Sequence, residues 1–472
     1  MSAIITNQFR KNSRELFIND IDTNTNYFIG IGKSEPWPDV GGVPESALNY
    51  SVPLPSNTII EKTDALKNLI SLLKVQSTFT VIPRDEWVSG RVYKVYDPSD
   101  PNIFNYETIG ATAYYPCYMT HNDKIFICIK NTSPTAGQEG VIVPSTTNVT
   151  ATGFTNQPGV LTDGYSWAYV CDLTTTSDFY TNQFVDIPDN LTVQTDIDNA
   201  ATATGGKVYG FKVNNGGTGI AAQDVTLIGK DSAGVPIADV NIRTGVNDQA
   251  PYVVTIVSGV ITAITITTNG WPAGYAEASV VVAGVATDIQ PLVAPIDGFG
   301  FSPRSDLPSF YAGLFAAYVG GVGGEAPVGL GFRQVSLVKD AERTDNDTPV
   351  NNTLNIYDTL PYLQLTTSST GIPTDAGTII AHDTNRAKAY LDYVDTTNDR
   401  VYYHQNSSGE INQKPFIAGG VTFTSPGGTT AAGNVASNGI VQGEYNQGSG
   451  ETLFLENRKA ILRNNNQQED IK

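Results

Sequence analysis

The sequence predicts a mainly β or α+β protein of several domains, with antiparallel sheets and a few short helices. Three observations predict it. Gly (45) and Pro (26) are frequent, only 16% of residues are charged, and 23 tyrosines accompany long Thr/Val/Ile stretches, a composition of strands and turns. Short apolar runs broken by turn residues recur between about residues 75 and 190. The 472 residues suffice for roughly two to four domains with buried cores.

Taken in order, residues 9–18 read as a modest helix with Phe9, Leu16 and Phe17 on one face. Asp20-Ile21-Asp22-Thr23-Asn24 has the start of a calcium loop, but Thr25 and Ile31 replace the Gly and Glu it needs, so it reads as a helix-ending turn. Tyr27-Phe28-Ile29-Gly30-Ile31-Gly32-Lys33-Ser34-Glu35-Pro36-Trp37 is a buried strand with an abrupt stop. Gly30 and Gly32 leave room for a close neighbouring backbone, and Pro36 forces Glu35 out of the helical region. Thr58 with Glu61 forms a capping box, and Leu66, Leu69, Ile70 and Leu73 follow at helical spacing, as a stripe packed on a sheet.

Lys124-Ile125-Phe126-Ile127-Cys128-Ile129-Lys130 reads as a buried strand with charged ends, and residues 165–173 as a half-exposed one. Residues 202–293 repeat internally: a Gly-rich turn leads into Asp224-Val225-Thr226-Leu227-Ile228-Gly229, and a second into Ser279-Val280-Val281-Val282-Ala283-Gly284. Two such strands can pair in one compact β-domain. Residues 387–394 and 400–403 form a hairpin around a turn at 395–399, and 425–450 reads as a loop or linker.

The formal charge of −19 argues against a grip on nucleic acid or an anionic membrane, and suits either a soluble protein or one with at least one basic partner. Residues 252–266 are apolar but interrupted by Ser258 and Gly259, so they read as strands and not as a membrane span. The N-terminus, with Arg10, Lys11, Arg14 and Glu15, shows no apolar leader. Cys117, Cys128 and Cys171 are an odd count without CxxC spacing, expected as buried free thiols of a reducing compartment.

No catalytic, metal or cofactor constellation emerges. His121, His382 and His404 share no ligand spacing, and each is read as a surface or hydrogen-bonded imidazole. Gly320-Gly321-Val322-Gly323-Gly324 lacks the Lys-Ser/Thr of a P-loop, and there is no G-x-S-x-G elbow. A glycosidase's carboxylate pair is not legible from 47 acidic residues, which keeps a polysaccharide depolymerase as an alternative. Trp37, Trp87 and Trp167 each sit beside a turn and a charged residue. This pattern suits core packing or, with Lys33, Glu35, Arg84 and Asp85, contacts between subunits or domains. Trp271 and Tyr275 are candidate stacking platforms if the 202–293 segment binds a host glycan.

The 27–37 string resembles the opening of the baseplate wedge subunit family of T-even-like contractile-tailed phages, the product of gene eight. Four further strings match in the same order: Val81-Ile82-Pro83-Arg84-Asp85-Glu86-Trp87, Asp163-Gly164-Tyr165-Ser166-Trp167-Ala168-Tyr169, Gly331-Phe332-Arg333-Gln334-Val335-Ser336-Leu337 and Leu455-Glu456-Asn457-Arg458. Arg333 and Arg458, inside these strings, join the candidate contact residues. Where the resemblance lapses it implies two inserted β-rich domains, at 201–293 and 344–445, in a framework of 1–200, 294–343 and 446–472. It implies a structural, non-enzymatic homodimer without cofactor. This dimer touches other wedge proteins, with fibre-attachment proteins as partners of the inserts, and is assembled in the host cytoplasm into the virion's baseplate. Family members usually continue into a closing apolar strand, so the chain's natural end is expected beyond Lys472.

Overall fold

The computed structural model describes residues 6–24, 26–131, 165–188, 205–220, 225–242, 252–266, 273–318, 330–344, 356–407, 409–462 and 469–471. It is mostly β, as the composition predicts, and divides into two compact units. Unit 1 comprises Met1–Leu16 and Phe79–Gly313; unit 2 comprises Phe17–Thr78 and Leu314–Lys472.

Helix α1 spans Asn7–Asn24, longer than expected at both ends. Its buried positions are Arg14, Ile18 and Ile21, at i, i+4 and i+7, while Phe9 and Leu16 of the expected apolar face are exposed. Arg14 can be buried because Nη1 donates to Thr80 Oγ1 at 2.7 Å and Nε to the Ser309 carbonyl at 3.3 Å.

Unit 1 has an aromatic core. Trp167 stacks on Tyr165 at 5.8 Å and meets Tyr93 edge-on at 5.0 Å, all fully buried. The sheet beneath it orders Tyr118–His121, Lys124–Lys130 and Ser166–Asp172. Asn122 and Asp123, both at positive φ (47° and 59°), make the two-residue turn between the first two strands. Lys124–Lys130 has the expected buried centre and half-buried ends. Ser166–Asp172 departs from expectation: it is buried on both faces, because Ala168 and Val170, between the buried rings of Trp167 and Tyr169, are core residues as well.

The repeat strands in unit 1 do pair. Val225–Lys230 lies between Pro236–Asn241 and Glu277–Val282, with Val225 opposite Val282 and Leu227 opposite Val280. Tyr252–Val257 and Val260–Ile266 form a hairpin turned at Ser258 and Gly259 (φ 51° and 79°). Cys117, Cys128 and Cys171 are free and buried, and burial pushes the thiols of Cys117 and Cys171 well up.

Unit 2 holds a five-stranded antiparallel sheet ordered Ile356–Asp358, β2 (Leu69–Lys74), β1 (Tyr27–Gly32), Gly331–Lys339 and Glu451–Leu462. β1 is its centre, and every residue of it is buried. The predicted close backbone approach holds at Gly32, whereas at Gly30 the close neighbours are side chains. A Cβ at Gly32 would stand 2.5 Å from the Asn68 carbonyl oxygen, and one at Gly30 2.4 Å from Leu69 Cδ2.

Half of the expected capping box starts helix α2 (Ile59–Lys67): Thr58 Oγ1 accepts from Glu61 N at 3.2 Å, while the Glu61 carboxylate takes Ser56 N and Oγ in place of the reciprocal bond to the cap. The helix stops at Asn68, and β2 begins at once, so of the Leu66–Leu69–Ile70–Leu73 stripe only Leu66 is helical and the other three lie in the strand. A continuous apolar run fits either period, and burial on both faces of the sheet selects the strand.

Six strands close a barrel in the order Tyr362–Leu365, Arg400–His404, Lys388–Asp395, Ile379–His382, Gly419–Thr424 and Thr430–Val441. The predicted hairpin is part of it, with Asp395 Oδ1 accepting from Thr397 N at 2.9 Å in the turn. Residues 430–441, expected as linker, are instead the strand that closes the barrel. They pair with Gly419–Thr424 on one side and Tyr362–Leu365 on the other, which satisfies their backbone where side chains offer little to bury.

Candidate functional site

β1 ends in an unusual turn. Lys33 adopts positive φ (62°), and its N–H donates to the Asn68 carbonyl at 3.0 Å. Its ammonium pairs with the Glu35 carboxylate and sits 4.6 Å from the centre of the Trp37 ring. The chain bends at Glu35, and Pro36, which follows it, disfavours the helical conformation there.

Glu35 is buried and faces the outside of the barrel wall. Its Oε2 lies 3.2 Å from His404 Nε2, an ion-pair contact outside hydrogen-bond geometry. His404 Nδ1 bonds Asp392 Oδ1 and Oδ2 at 2.9 and 3.0 Å. Burial alone would push the imidazole down, but Asp392 and then Glu35 outweigh it and raise His404 to about 10. Burial likewise opposes the Glu35 charge, yet His404 and then Lys33 hold it at about 2. Two cations, Lys33 and His404, thus face two anions, Glu35 and Asp392, in a buried and charge-balanced cluster.

A line of amides continues from this cluster. Asn406 Nδ2 donates to Glu35 Oε1 at 3.0 Å and to Asn68 Oδ1 at 2.9 Å. Asn68 Nδ2 donates to Gln334 Oε1 at 3.1 Å, and Gln334 Nε2 to Asn457 Oδ1 at 3.0 Å. Barrel, central sheet and outermost strand are joined by one polar chain.

A second hub is Glu45. Its carboxylate accepts from Arg333 Nε at 2.8 Å on each oxygen, from Trp37 N at 3.3 Å and from Ala460 N at 3.1 Å. Arg333 also donates to the Ser34 carbonyl, and Trp37 Nε1 donates to the Arg458 carbonyl at 2.8 Å. Arg458 Nη2 meets Glu456 at 2.9 Å.

Of the contact residues predicted from sequence, Lys33, Glu35, Trp37, Arg333 and Arg458 therefore converge on one site in unit 2. Arg84, Asp85 and Trp87 form a separate group in unit 1. There Arg84 pairs with Glu86 at 3.1 Å and lies 4.8 Å from the Tyr180 ring, Asp85 pairs with Arg91 at 2.8 Å, and the Trp87 amide donates to the Thr120 carbonyl at 2.9 Å. Trp167 is core, not a contact residue: its ring is fully enclosed by aromatic neighbours. Tyr275 is also core, and its buried ring has no open face for a sugar. Trp271 lies outside the described residues.

Sequence reasoning missed Glu45, Asn68, Asp392 and Asn406, and read His404 only as a surface or hydrogen-bonded imidazole. The one local signal was the strand alternation that sets His404 outward from the barrel beside inward Val401 and Tyr403. Chemically the cluster is enclosed. His404 lies between two carboxylates with its ring wholly buried. It is built to hold the barrel on the sheet.

A family model described as "Bacteriophage T4, Gp8" matches residues 3–114, a span that contains β1, its turn and the Arg84-Asp85-Glu86-Trp87 string. The baseplate wedge protein gp8 of Enterobacteria phage T4 is 25% identical over 214 residues, 39% of this chain and 60% of that protein. The chain is similar to the phage Gp8 wedge proteins. This bears out the resemblance read from the five ordered strings, of which the last three lie beyond the family-model match. The chain spans about 60% of the length of its curated Gp8 relative. No solved structure matches it.

Proposed function

We propose that the chain is a structural, non-enzymatic wedge subunit of a contractile phage-tail baseplate. It acts as a homodimer that links neighbouring wedge proteins and relays their rearrangement to sheath contraction. The similarity to Gp8 supports the structural baseplate role. The observation that carries the mechanical reading is the unbroken polar chain from Asp392 through His404, Glu35, Asn406, Asn68 and Gln334 to Asn457. Such a network ties the barrel to the sheet of unit 2, so that force applied to one displaces the other as a rigid body. The virion baseplate is the location this role requires, with assembly in the host cytoplasm.

Light scattering of the full chain, alone and after mixing with the neighbouring wedge proteins, tests the reading. A dimer that enters a larger complex is expected. A monomer that joins nothing overturns it.

A further inference from the structure

Residues 38–58 join the turn after β1 to helix α2 with no helix or strand of their own, beyond an isolated bridge between Val40 and Val43. A stretch of that length without regular structure is uncommon in a compact domain and usually has a task. Here it runs along the second half of Glu451–Leu462, the strand that ends the five-stranded sheet and pairs on one side only. Asn457 Nδ2 donates to the Pro53 carbonyl at 2.9 Å, Lys459 Nζ to the Leu48 carbonyl at 3.1 Å, and the Ala460 amide to Glu45 Oε1 at 3.1 Å. The stretch is a strap laid over a strand edge.

Little holds the strap down. No backbone-to-backbone hydrogen bond joins residues 38–58 to residues 451–462. Tyr50 is the one buried side chain between 38 and 58, and its hydroxyl stays within the strap, donating to the Pro38 carbonyl at 2.9 Å. Leu48 and Leu54, 100% and 90% exposed, contribute no apolar packing. Among the described residues, Glu45 is the one strap side chain that hydrogen-bonds the sheet. It takes Arg333 Nε at 2.8 Å on each oxygen, besides the Ala460 amide.

A segment with few buried contacts and few backbone bonds opens at a lower free energy than the sheet it lies on. We propose that residues 38–58 are a releasable strap latched by Glu45. When the Glu45 carboxylate leaves Arg333 and the Ala460 amide, the strap lifts as a unit and the sheet beneath stays folded. Closed, it shields the end of an edge strand, whose free backbone groups would otherwise pair with other chains. Open, it uncovers that edge, so the strap is an autoinhibitory cover and not a fixed loop. The device lies wholly within unit 2 and does not depend on the wedge role.

Amide hydrogen exchange of the full chain, read at single residues, tests the strap in the parent and in Glu45→Gln. The Ala47 and Tyr50 amides bond the Pro44 and Ala47 carbonyls and not Glu45. In the parent they are expected to exchange together with the Ala460 amide and well before those of β1. Glu45→Gln should speed all three about tenfold, and chymotryptic cleavage after Tyr50 with them, while β1 keeps the parent's rate. Asp39→Asn, which removes an exposed strap carboxylate, should match the parent. Exchange of Ala47 and Tyr50 in step with β1 in the parent denies the strap an opening of its own and overturns the proposal, however the variants fold. An unchanged rate in Glu45→Gln, an equal acceleration of β1, or the same effect from Asp39→Asn removes Glu45 as the latch and also overturns it.

Discussion

His404 Nε2 and Glu35 Oε2 meet at 3.2 Å, although His404 lies on a barrel strand and Glu35 in the turn that ends the central sheet strand β1. With Asp392 behind the imidazole and Lys33 beside the carboxylate, the contact anchors the barrel through charges that water does not screen.

Removing the imidazole should expose the value of this arrangement. His404→Ala leaves Glu35 and Asp392 buried without their shared cation, a change expected to cost about 3–5 kcal/mol. Urea unfolding of the full chain measures it. An unchanged midpoint would show that the contact contributes nothing to holding unit 2 together.

The same cluster sets a pH window. His404 is raised above its ordinary 6.5 to about 10, so its contribution is complete below pH 6.5 and is lost as pH rises towards 10. Glu35 is lowered from 4.5 to about 2, so its contribution is complete above pH 4.5 and is lost as pH falls towards 2. Unit 2 is therefore expected to be most stable between pH 4.5 and 6.5. Melting temperatures across pH check this, and a His404→Gln variant should lose the decline on the alkaline side.

Unit 1 has its own titrating group. Burial raises Asp306 from 3.8 to about 7, against the opposing pull of the Gly300 amide, which donates to it at 2.7 Å, and of Lys11. Its folded value is the higher one, so stability falls as pH rises from 3.8 through 7. Asp306→Asn should flatten that slope, leaving a protein more stable than the parent at pH 8. Denaturant midpoints at pH 5 and pH 8 decide the matter; parallel slopes in both proteins would count against it.

The two glycines of β1 should differ in tolerance. At Gly30 an added methyl meets side-chain atoms, Leu69 Cδ2 at 2.4 Å and Ser336 Oγ at 2.6 Å. At Gly32 it meets the Asn68 backbone, whose carbonyl also holds Lys33 N. Gly30→Ala is expected to cost about 1–3 kcal/mol, and Gly32→Ala more, because a rotamer can shift where the backbone of a central strand cannot. Thermal melts of both variants, ranked against the parent, test the order.

Much of the local structure was legible in the residues themselves. Thr58 does cap α2, Ser258 and Gly259 do turn a hairpin, and Lys124–Lys130 is a buried strand, because each depends on neighbours within a few positions. The helix-to-strand switch at Asn68 was not legible, since an apolar run satisfies both periods until the surrounding sheet is known. Residues 430–441 looked like linker because a Gly- and Ala-rich strand carries no apolar signal; their pairing partners make them a strand.

The site divides along the same line. The sequence alone determined that the 27–37 segment is a strand stopped at a turn, with a glycine at Gly32 where a backbone presses close, and that Lys33, Glu35, Trp37, Arg333 and Arg458 belong to ordered family strings. Only the tertiary structure decided that Glu35 faces His404 and Asp392, that Glu45 gathers Arg333, Trp37 and Ala460, and that Trp167 and Tyr275 are core. The physical reason is range. Backbone propensity is set by adjacent residues, whereas a buried charge is tolerable only beside a partner that barrel closure and sheet pairing bring from elsewhere in the chain.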